Sequence, residues 1–257
     1  MITWTHLPAF AISVAVLSIV AALCAWCNRR RQAIVVRTLS MVVMGCFIGL
    51  LWYSLSRPPM RTMGETRLWY SFFMLAAGLV VYIRYRYRWI FSFSALMSIV
   101  FLAINCFKPE LHDRTLMPAL QSVWFIPHVT VYMMAYAVLA CTTITSISAS
   151  LKNSVALWRF TDSLVYAGVS FLTIGMFTGA IWAKQAWGNY WSWDPKETWA
   201  LATWMIYLLY IHWRRYGSAR RWLLCGILLA AFVALQMCWW GIDYLPSAQH
   251  SVHIYNR

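Results

Sequence analysis

Acidic side chains are scarce in this sequence of 257 residues, which has seven Asp and Glu against 21 Lys and Arg. Charged residues of both signs make up only 11% of the chain, and 62% of it is hydrophobic. The long uncharged stretches exclude a disordered chain, a disulfide-stapled secreted domain and a nucleic-acid-binding module. So little charge among so many apolar residues indicates a chain that is mostly surrounded by lipid.

The sequence also lacks several kinds of chemical site. We find no Ser-His-Asp set, no cluster of metal-ligating residues and no phosphate-binding loop that would predict a hydrolase or an ATPase. The seven cysteines lie inside apolar stretches or at their edges, as small buried hydrophobic residues do. Cys24 and Cys27 form a CxxC near arginines, which leaves a redox role open, but Asn28 stands where a covalent haem site would have histidine. Any haem that this chain handles is therefore expected to be bound non-covalently.

Hydrophobic stretches account for most of the chain. Pro118 and Pro127 predict an irregular lead-in to the fifth stretch, whose helix we expect at about 124–147. The sequence predicts an all-α, polytopic integral membrane protein with about eight transmembrane helices, folded as a single membrane domain over 1–257. Eight intervals without charge are long enough, or nearly so, to cross a hydrocarbon core of about 30 Å: 1–28, 38–56, 68–83, 89–107, 115–151, 163–183, 198–211 and 222–242.

Basic residues divide unequally between alternate loops. One side would carry 13 Lys and Arg with one acid, Asp162, whereas the other would carry eight with six acids. The positive-inside rule then puts both termini outside, together with the loops near 57–67, 108–123 and 184–197. Orientation accounts for almost all of the net charge of +14, so the charge by itself requires no specific anionic partner.

Tryptophan is present in excess, and its distribution is uneven. Six of the 17 Trp lie within 182–204, on the side predicted to be outside. Interfacial anchors would stand singly at helix ends, whereas these alternate with Gly, Pro and charged residues in W-G-N-Y-W-S-W-D-P-K-E-T-W (187–199). Such a segment offers flat apolar faces to a large planar ligand, and polar groups that orient its carboxylates. Haem is a ligand of this kind: Lys196 can pair with a propionate, and Asp194 before Pro195 is typical of a turn or a helix start.

This stretch resembles the WWD motif of haem-handling membrane proteins. Its continuation W-A-L-A-T-W-M-I-Y-L-L-Y-I-H-W-R (199–214) resembles the CcsA/ResC family of System II cytochrome c biogenesis. Three further stretches agree with that family: R-P-P-M-R-T-M-G-E-T (57–66), W-F-I-P-H-V-T-V-Y-M-M-A-Y-A (124–137) and S-V-H-I-Y-N (251–256). The related CcmC and CcmF families share the Trp-rich core, but D-P-K-E-T-W followed by the Tyr-Ile-His helix favours CcsA. The resemblance covers essentially the whole chain.

The resemblance implies that haem b is bound non-covalently at the outer loop between spans six and seven. His128 and His253 flank this loop in sequence, and both can reach its level. In the family, histidines at these positions are the two axial ligands of the outer haem iron. His250 is a competitor three residues from His253, but the terminal H-x-Y pattern favours His253. The loop residues expected to contact haem are Trp187, Gly188, Tyr190, Trp191, Trp193, Asp194, Pro195, Lys196, Glu197 and Trp199.

His212 is too far from the loop to ligate the same iron, since 14 residues of helix from Thr198 place it about 20 Å deeper. In the family, a histidine at this position ligates a second, intramembrane haem. No second histidine lies within a predicted span at that depth. The resemblance therefore implies that a separate CcsB/ResB-type membrane partner supplies the opposite ligand. The alternative is a helix-end histidine that snorkels beside Arg214.

The resulting prediction is the haem-presenting subunit of a cytochrome c synthase, a haem lyase-type enzyme that is active only with its partner. It would present haem for thioether attachment to the CxxCH segment of apocytochrome c. The expected location is the outer face of the bacterial cytoplasmic membrane, or the thylakoid membrane in a plastid. No residue is assigned a catalytic role, because positioning and redox control contribute most to this reaction.

The prediction includes further partners, and two other functions are compatible with the same sequence features. Thiol-reducing proteins and membrane lipid are expected partners, and nucleic acid is not. One alternative is a CcmC-like protein that transfers haem to a chaperone without ligation. The other is a structural membrane subunit whose Trp-rich loop only anchors against a partner.

Overall fold

The computed structural model describes residues 2–108, 122–216 and 220–245, apart from the side chain of Asp243. Short 3-10 helices lie at Trp4–His6 and Gly241–Tyr244. No strand occurs in the described ranges, which confirms the predicted all-α class. The long helices of these ranges are α1 (Leu7–Trp26), α2 (Arg30–Leu55), α3 (Met63–Tyr85), α4 (Arg88–Phe107), α5 (Phe125–Lys152), α6 (Val155–Trp187), α7 (Pro195–Tyr216) and α8 (Arg221–Trp239).

Each long helix covers one of the predicted spans, but several run past the charges that bounded the prediction. Helix α3 begins at Met63 because Thr62 and Glu65 form a capping box, in which each side chain accepts a hydrogen bond from the other residue's amide at 3.2 Å. Helix α6 begins after Ser154, whose hydroxyl caps the Leu157 amide. Charged residues therefore lie inside the first and last turns, where long side chains reach the interface without breaking the helix.

Seven of these helices are long and apolar enough to cross a membrane: α1 to α6 and α8. The chain is thus a multi-pass membrane protein. Helix α7 is long enough to span, since 22 residues extend about 33 Å. It differs in carrying Lys196 and Glu197 at its start and Arg214 and Arg215 near its end. Which terminus faces which side stays a prediction from charge.

Residues Met1–Thr115 form one compact unit, in which α1 packs on α2 and α4, and α3 packs on α4. A hydrogen bond of 2.9 Å between the hydroxyls of Ser18 and Ser40 joins α1 to α2 inside the bundle. Gly78 of α3 lies so close to Ser94 of α4 that any side chain at position 78 would overlap the serine. Small residues thus allow the close helix packing on which membrane bundles rely.

Residues Leu116–Arg257 form a second compact unit, whose described part contains α5 to α8. Helix α5 packs on α6 and α8, and α7 packs on α6 and α8. Near the end of α7, Arg214 forms an ion pair with Asp162 of α6 at 3.2 Å, and the Tyr210 hydroxyl donates to the same carboxylate at 2.6 Å. The prediction that the two units act as one membrane domain stays a prediction.

Candidate functional site

His128 lies at the start of α5 with its imidazole directed at α6. Its Nδ1 atom is 2.8 Å from the carbonyl oxygen of Gly175. A carbonyl oxygen can only accept, so Nδ1 carries the hydrogen, and the neutral ring then has its lone pair on Nε2. Metal-binding histidines are commonly oriented by such a hydrogen bond from the second ring nitrogen to a backbone carbonyl. This hydrogen bond therefore leaves Nε2 as the ring nitrogen with a lone pair, the atom through which such an imidazole would bind a metal.

Two glycines of α6 make room for this part of α5. A Cβ atom at Gly179 would lie 2.7 Å from both Nδ1 and Cε1 of His128. A Cβ atom at Gly175 would overlap the ring of Tyr132. Gly168, two turns earlier in α6, lies equally close to Leu139 of α5. The glycine-bearing side of α6 thus determines how close the imidazole comes to the helix backbone.

Trp182 connects His128 to the Trp-rich loop. Its ring is only 4% exposed and lies nearly parallel to the imidazole, with 5.4 Å between centroids. The Trp182 ring also packs against Phe125 and against Trp187, the last residue of α6, with ring centroids 5.0 Å and 4.7 Å apart. The predicted ligand and the predicted loop therefore belong to one aromatic cluster.

The cluster continues along α5 and reaches α8. Tyr132 lies 4.7 Å from the imidazole and 5.7 Å from Tyr136, whose ring lies 5.5 Å from Trp239. The Tyr136 hydroxyl donates to the Cys238 sulfur at 3.6 Å, and that thiol donates to the Lys196 carbonyl at 3.5 Å. The start of α5, the end of α6, the start of α7 and the end of α8 are thus held together at one end of this unit.

The loop between α6 and α7 has a defined backbone shape. Gly188 ends α6 with a φ of 86°, a left-handed conformation that glycine adopts readily, and its carbonyl accepts from Lys184 Nζ at 2.7 Å. Trp193 has a φ of 59°, which is uncommon for a residue with a side chain. Such backbone strain is often found at ligand-binding positions.

Two acidic side chains hold the start of α7. Asp194 is buried, and its Oδ1 accepts from the Lys196 amide at 2.8 Å. Glu197 Oε2 accepts from the amides of Asp194 at 3.2 Å and Ser192 at 2.8 Å. This is the helix start predicted from Asp194 and Pro195, and it assigns both carboxylates to shaping the loop.

The loop also presents side chains suited to a ligand. Tyr190 and Trp193 are 59% and 68% exposed. Trp191 packs edge-on against Trp193 at 5.8 Å, and its indole Nε1 is buried without an acceptor among the described residues. Trp199 is half-buried within the first turns of α7. A buried indole N–H without an acceptor is costly unless a ligand or water completes it.

These residues fit an iron porphyrin in chemical terms. The His128 imidazole matches the metal, and the exposed aromatic faces match the macrocycle. The Trp191 N–H and the Lys196 ammonium match carboxylates. Within the described ranges, no group of three or more His, Cys, Asp or Glu could hold a metal ion.

Not all predicted residues come together in the structure. His212 is exposed on the side of α7 away from the buried Tyr207 and Tyr210, and its ring packs on Tyr216 at 5.0 Å. It belongs to a different location from His128, as its depth in the helix predicted. His253 and its competitor His250 lie outside the described residues.

Sequence reasoning counted Trp182 in the Trp-rich segment without linking it to His128, and it did not identify Tyr132, Gly175 and Gly179 as parts of this site. The sequence does contain patterns that point to the tyrosine and the two glycines. Tyr132 follows His128 by four residues, the spacing of one helix face, and the two glycines form a G-x-x-x-G in an apolar helix. What the sequence could not show is that these two patterns face each other.

Comparison with known proteins places the chain among proteins of cytochrome c assembly. Residues 3–250 match the family described as Cytochrome C assembly protein. The chain is 37% identical over 175 residues to the cytochrome c biogenesis protein CcsA of Chlamydomonas reinhardtii, an alignment that covers 63% of this chain and 50% of the relative. It is 26% identical to the CcsA of Cuscuta exaltata over 82% of each chain. It is 29% identical to that of Guillardia theta over 83% of this chain and 82% of the relative.

Proposed function

Because the chain belongs to the Cytochrome C assembly protein family, we propose that it binds haem non-covalently and presents it for attachment to apocytochrome c. Cytochrome c assembly is the function of the family, and haem is the cargo of the proposed activity. The observation that carries the proposal is the imidazole of His128, oriented by the Gly175 carbonyl and stacked on Trp182, which contacts the Trp-rich loop through Trp187.

The loop holds the macrocycle in this proposal. Tyr190 and Trp193 offer exposed aromatic faces, and Trp191 offers a buried N–H donor for a propionate oxygen. Lys196 pairs with a propionate. Asp194 and Glu197 act indirectly, because their oxygens accept backbone amides and keep the loop in shape.

His253 is proposed as the second outer ligand. The last described residue, Leu245, follows α8, whose end contacts the start of α7 through Cys238 and Lys196. Eight further residues can extend about 27 Å, so His253 is within reach of this end of the unit. His250 has nearly the same reach, and the experiment below separates the two.

His212 is proposed to ligate a second haem together with a CcsB/ResB-type membrane partner. Support comes from its exposure on α7, which a partner helix could meet. An intramembrane ionisable residue is by default a functional hypothesis.

The chain's own residues contribute positioning. Bound haem supplies an iron that takes two axial ligands and vinyl groups to which the thiols of a CxxCH segment are joined as thioethers. His128 and His253 would hold the haem, and the loop would orient its propionates. The buried Trp182 and Tyr132 exclude water from the His128 imidazole. On this basis the protein is the presenting subunit of a haem lyase-type enzyme, with both termini and the loop outside a bacterial cytoplasmic or thylakoid membrane.

An absorption spectrum of the purified protein, with and without reductant, tests the proposal. The wild type is expected to show a Soret band and the sharp reduced bands of a haem with two imidazole ligands. His128→Ala and His253→Ala are expected to lose haem or leave it easily oxidised, and added imidazole is expected to restore the spectrum. His6→Ala, which removes an exposed histidine at the N-terminus, is the matched control.

The other candidate functions give different results. A colourless wild-type protein supports the structural subunit. Bound haem without thioether formation, when the chain is co-expressed with its partner and an apocytochrome, supports transfer to a chaperone. Wild-type spectra in both histidine variants would refute the ligand assignment. Loss of haem in His250→Ala but not in His253→Ala would make His250 the second ligand in place of His253.

A further inference from the structure

Two arginine-rich turns of the first unit are joined by hydrogen bonds. The turn between α1 and α2 and the turn between α3 and α4 lie more than 50 residues apart in sequence. Arg88 donates to the Trp26 carbonyl at 3.3 Å and to the side chain of Asn28, while Arg30 donates to the Ile83 carbonyl at 2.9 Å. These hydrogen bonds bring six arginines to one end of the unit: Arg29, Arg30, Arg31, Arg84, Arg86 and Arg88.

No carboxylate balances this charge within the described part of the unit. The only acid in residues 2–108 is Glu65, at the beginning of α3, and 19 residues of helix separate it from Arg84 by about 28 Å. That distance is several times the Debye length of about 8 Å at physiological ionic strength. Four of the six guanidinium groups, those of Arg29, Arg31, Arg84 and Arg86, are exposed and form no ion pair with a described residue.

Apolar side chains lie directly beside these arginines. Leu23 and Trp26 of α1 are 59% and 57% exposed, and Val80 and Ile83 of α3 are 65% and 44% exposed. A surface with exposed guanidinium groups at the helix ends and exposed aliphatic groups one turn deeper matches a molecule that has an anionic head and apolar chains.

We propose that this end of the first unit is a binding site for an anionic phospholipid, whose phosphate the exposed arginines of both turns share. Arginine suits a phosphate because its planar fork donates two parallel hydrogen bonds. The acyl chains would lie along the exposed apolar side chains of α1 and α3. Orientation by charge needs only the number of arginines, whereas this site needs the two turns to be joined as they are. The proposal is independent of haem binding.

Native mass spectrometry of the purified full-length chain tests this site. Dioleoyl phosphatidylglycerol is expected to bind more tightly than dioleoyl phosphatidylcholine, which has the same chains and no net charge. Each exposed basic residue near an anionic surface contributes about 1 kcal/mol, so Arg29→Gln and Arg86→Gln should each weaken phosphatidylglycerol binding about fivefold. The variant with Gln at positions 29, 31, 84 and 86 should lose the preference for the anionic lipid.

A matched variant controls for total charge. Arg159, Arg215, Arg220 and Arg221 are also exposed and are also predicted to lie inside, but they belong to the second unit. Replacing these four with Gln removes the same charge and should leave the preference intact. Inorganic phosphate at millimolar concentration should not displace the lipid, because it has no acyl chains.

Three results would overturn the proposal. Equal binding of the two lipids to the wild type would show that charge contributes nothing, and this comparison does not depend on any variant folding. Equal losses in the two fourfold variants would show a general charge effect rather than a site. Displacement by inorganic phosphate would show a free-anion site instead of a lipid site.

Discussion

A methyl group added at position 179 should disturb the candidate iron ligand directly. In Gly179→Ala the new Cβ would lie 2.7 Å from Nδ1 and Cε1 of His128, where an ordinary contact is 3.4 to 4 Å. The ring must therefore retreat by about 1 Å, which would stretch its 2.8 Å hydrogen bond to the Gly175 carbonyl beyond hydrogen-bond length. Overpacking costs about 1–3 kcal/mol and the lost bond about 1 kcal/mol, against a gain of about 1 kcal/mol for Gly→Ala in a helix. The expected net loss is about 2 kcal/mol.

Gly168→Ala is the control for this prediction. Its Cβ would overlap Leu139 at the same α5 and α6 interface, so its stability should fall by a similar amount. It displaces no imidazole, however. We expect both variants to unfold at lower temperature, while only Gly179→Ala changes the reduced haem bands and responds to added imidazole. Identical haem spectra in Gly179→Ala and the wild type, or an equal spectral change in Gly168→Ala, would refute the reasoning.

Three further variants test other parts of the structure. Glu65→Gln should lower the free energy of unfolding by about 3 kcal/mol, because the carboxylate is 1% exposed and accepts hydrogen bonds from both Arg57 Nη atoms at 2.9 Å. Thermal unfolding in detergent measures this loss, and an unchanged unfolding transition would contradict it. Asp162→Asn should lower the free energy of unfolding by less, about 1.5 kcal/mol, because its partner Arg214 is 33% exposed and water weakens the ion pair. A larger loss of stability than in Glu65→Gln would contradict this order. Trp191→Phe keeps an aromatic ring, although a smaller one, and removes the buried N–H. Haem affinity should therefore drop about tenfold in a titration, and unchanged haem affinity would show that this indole does not contact the ligand.

Helix positions were predictable because the signals that create them are local. A span is a run of apolar residues between charges, and all eight runs became helices. The predicted ends were too short where a cap lies beyond the nearest charge, as at Thr62 before α3. Helix α5 ends at Lys152 rather than near 147 because no charge or proline intervenes. The helix start at Asp194 was predictable for the same reason, since a cap and its amides are a few residues apart.

The sequence by itself determined the membrane class, the helices, the Trp-rich loop and the histidines worth considering, since each depends on residues that are near one another in the chain. Only the tertiary structure decided which faces of the helices meet. It placed Gly175 and Gly179 against His128, and it joined the turns that carry Arg30 and Arg88. Those contacts depend on the rotation of each helix about its axis. Rotation is set by the packing of side chains from distant parts of the sequence, so no pattern within one helix specifies it.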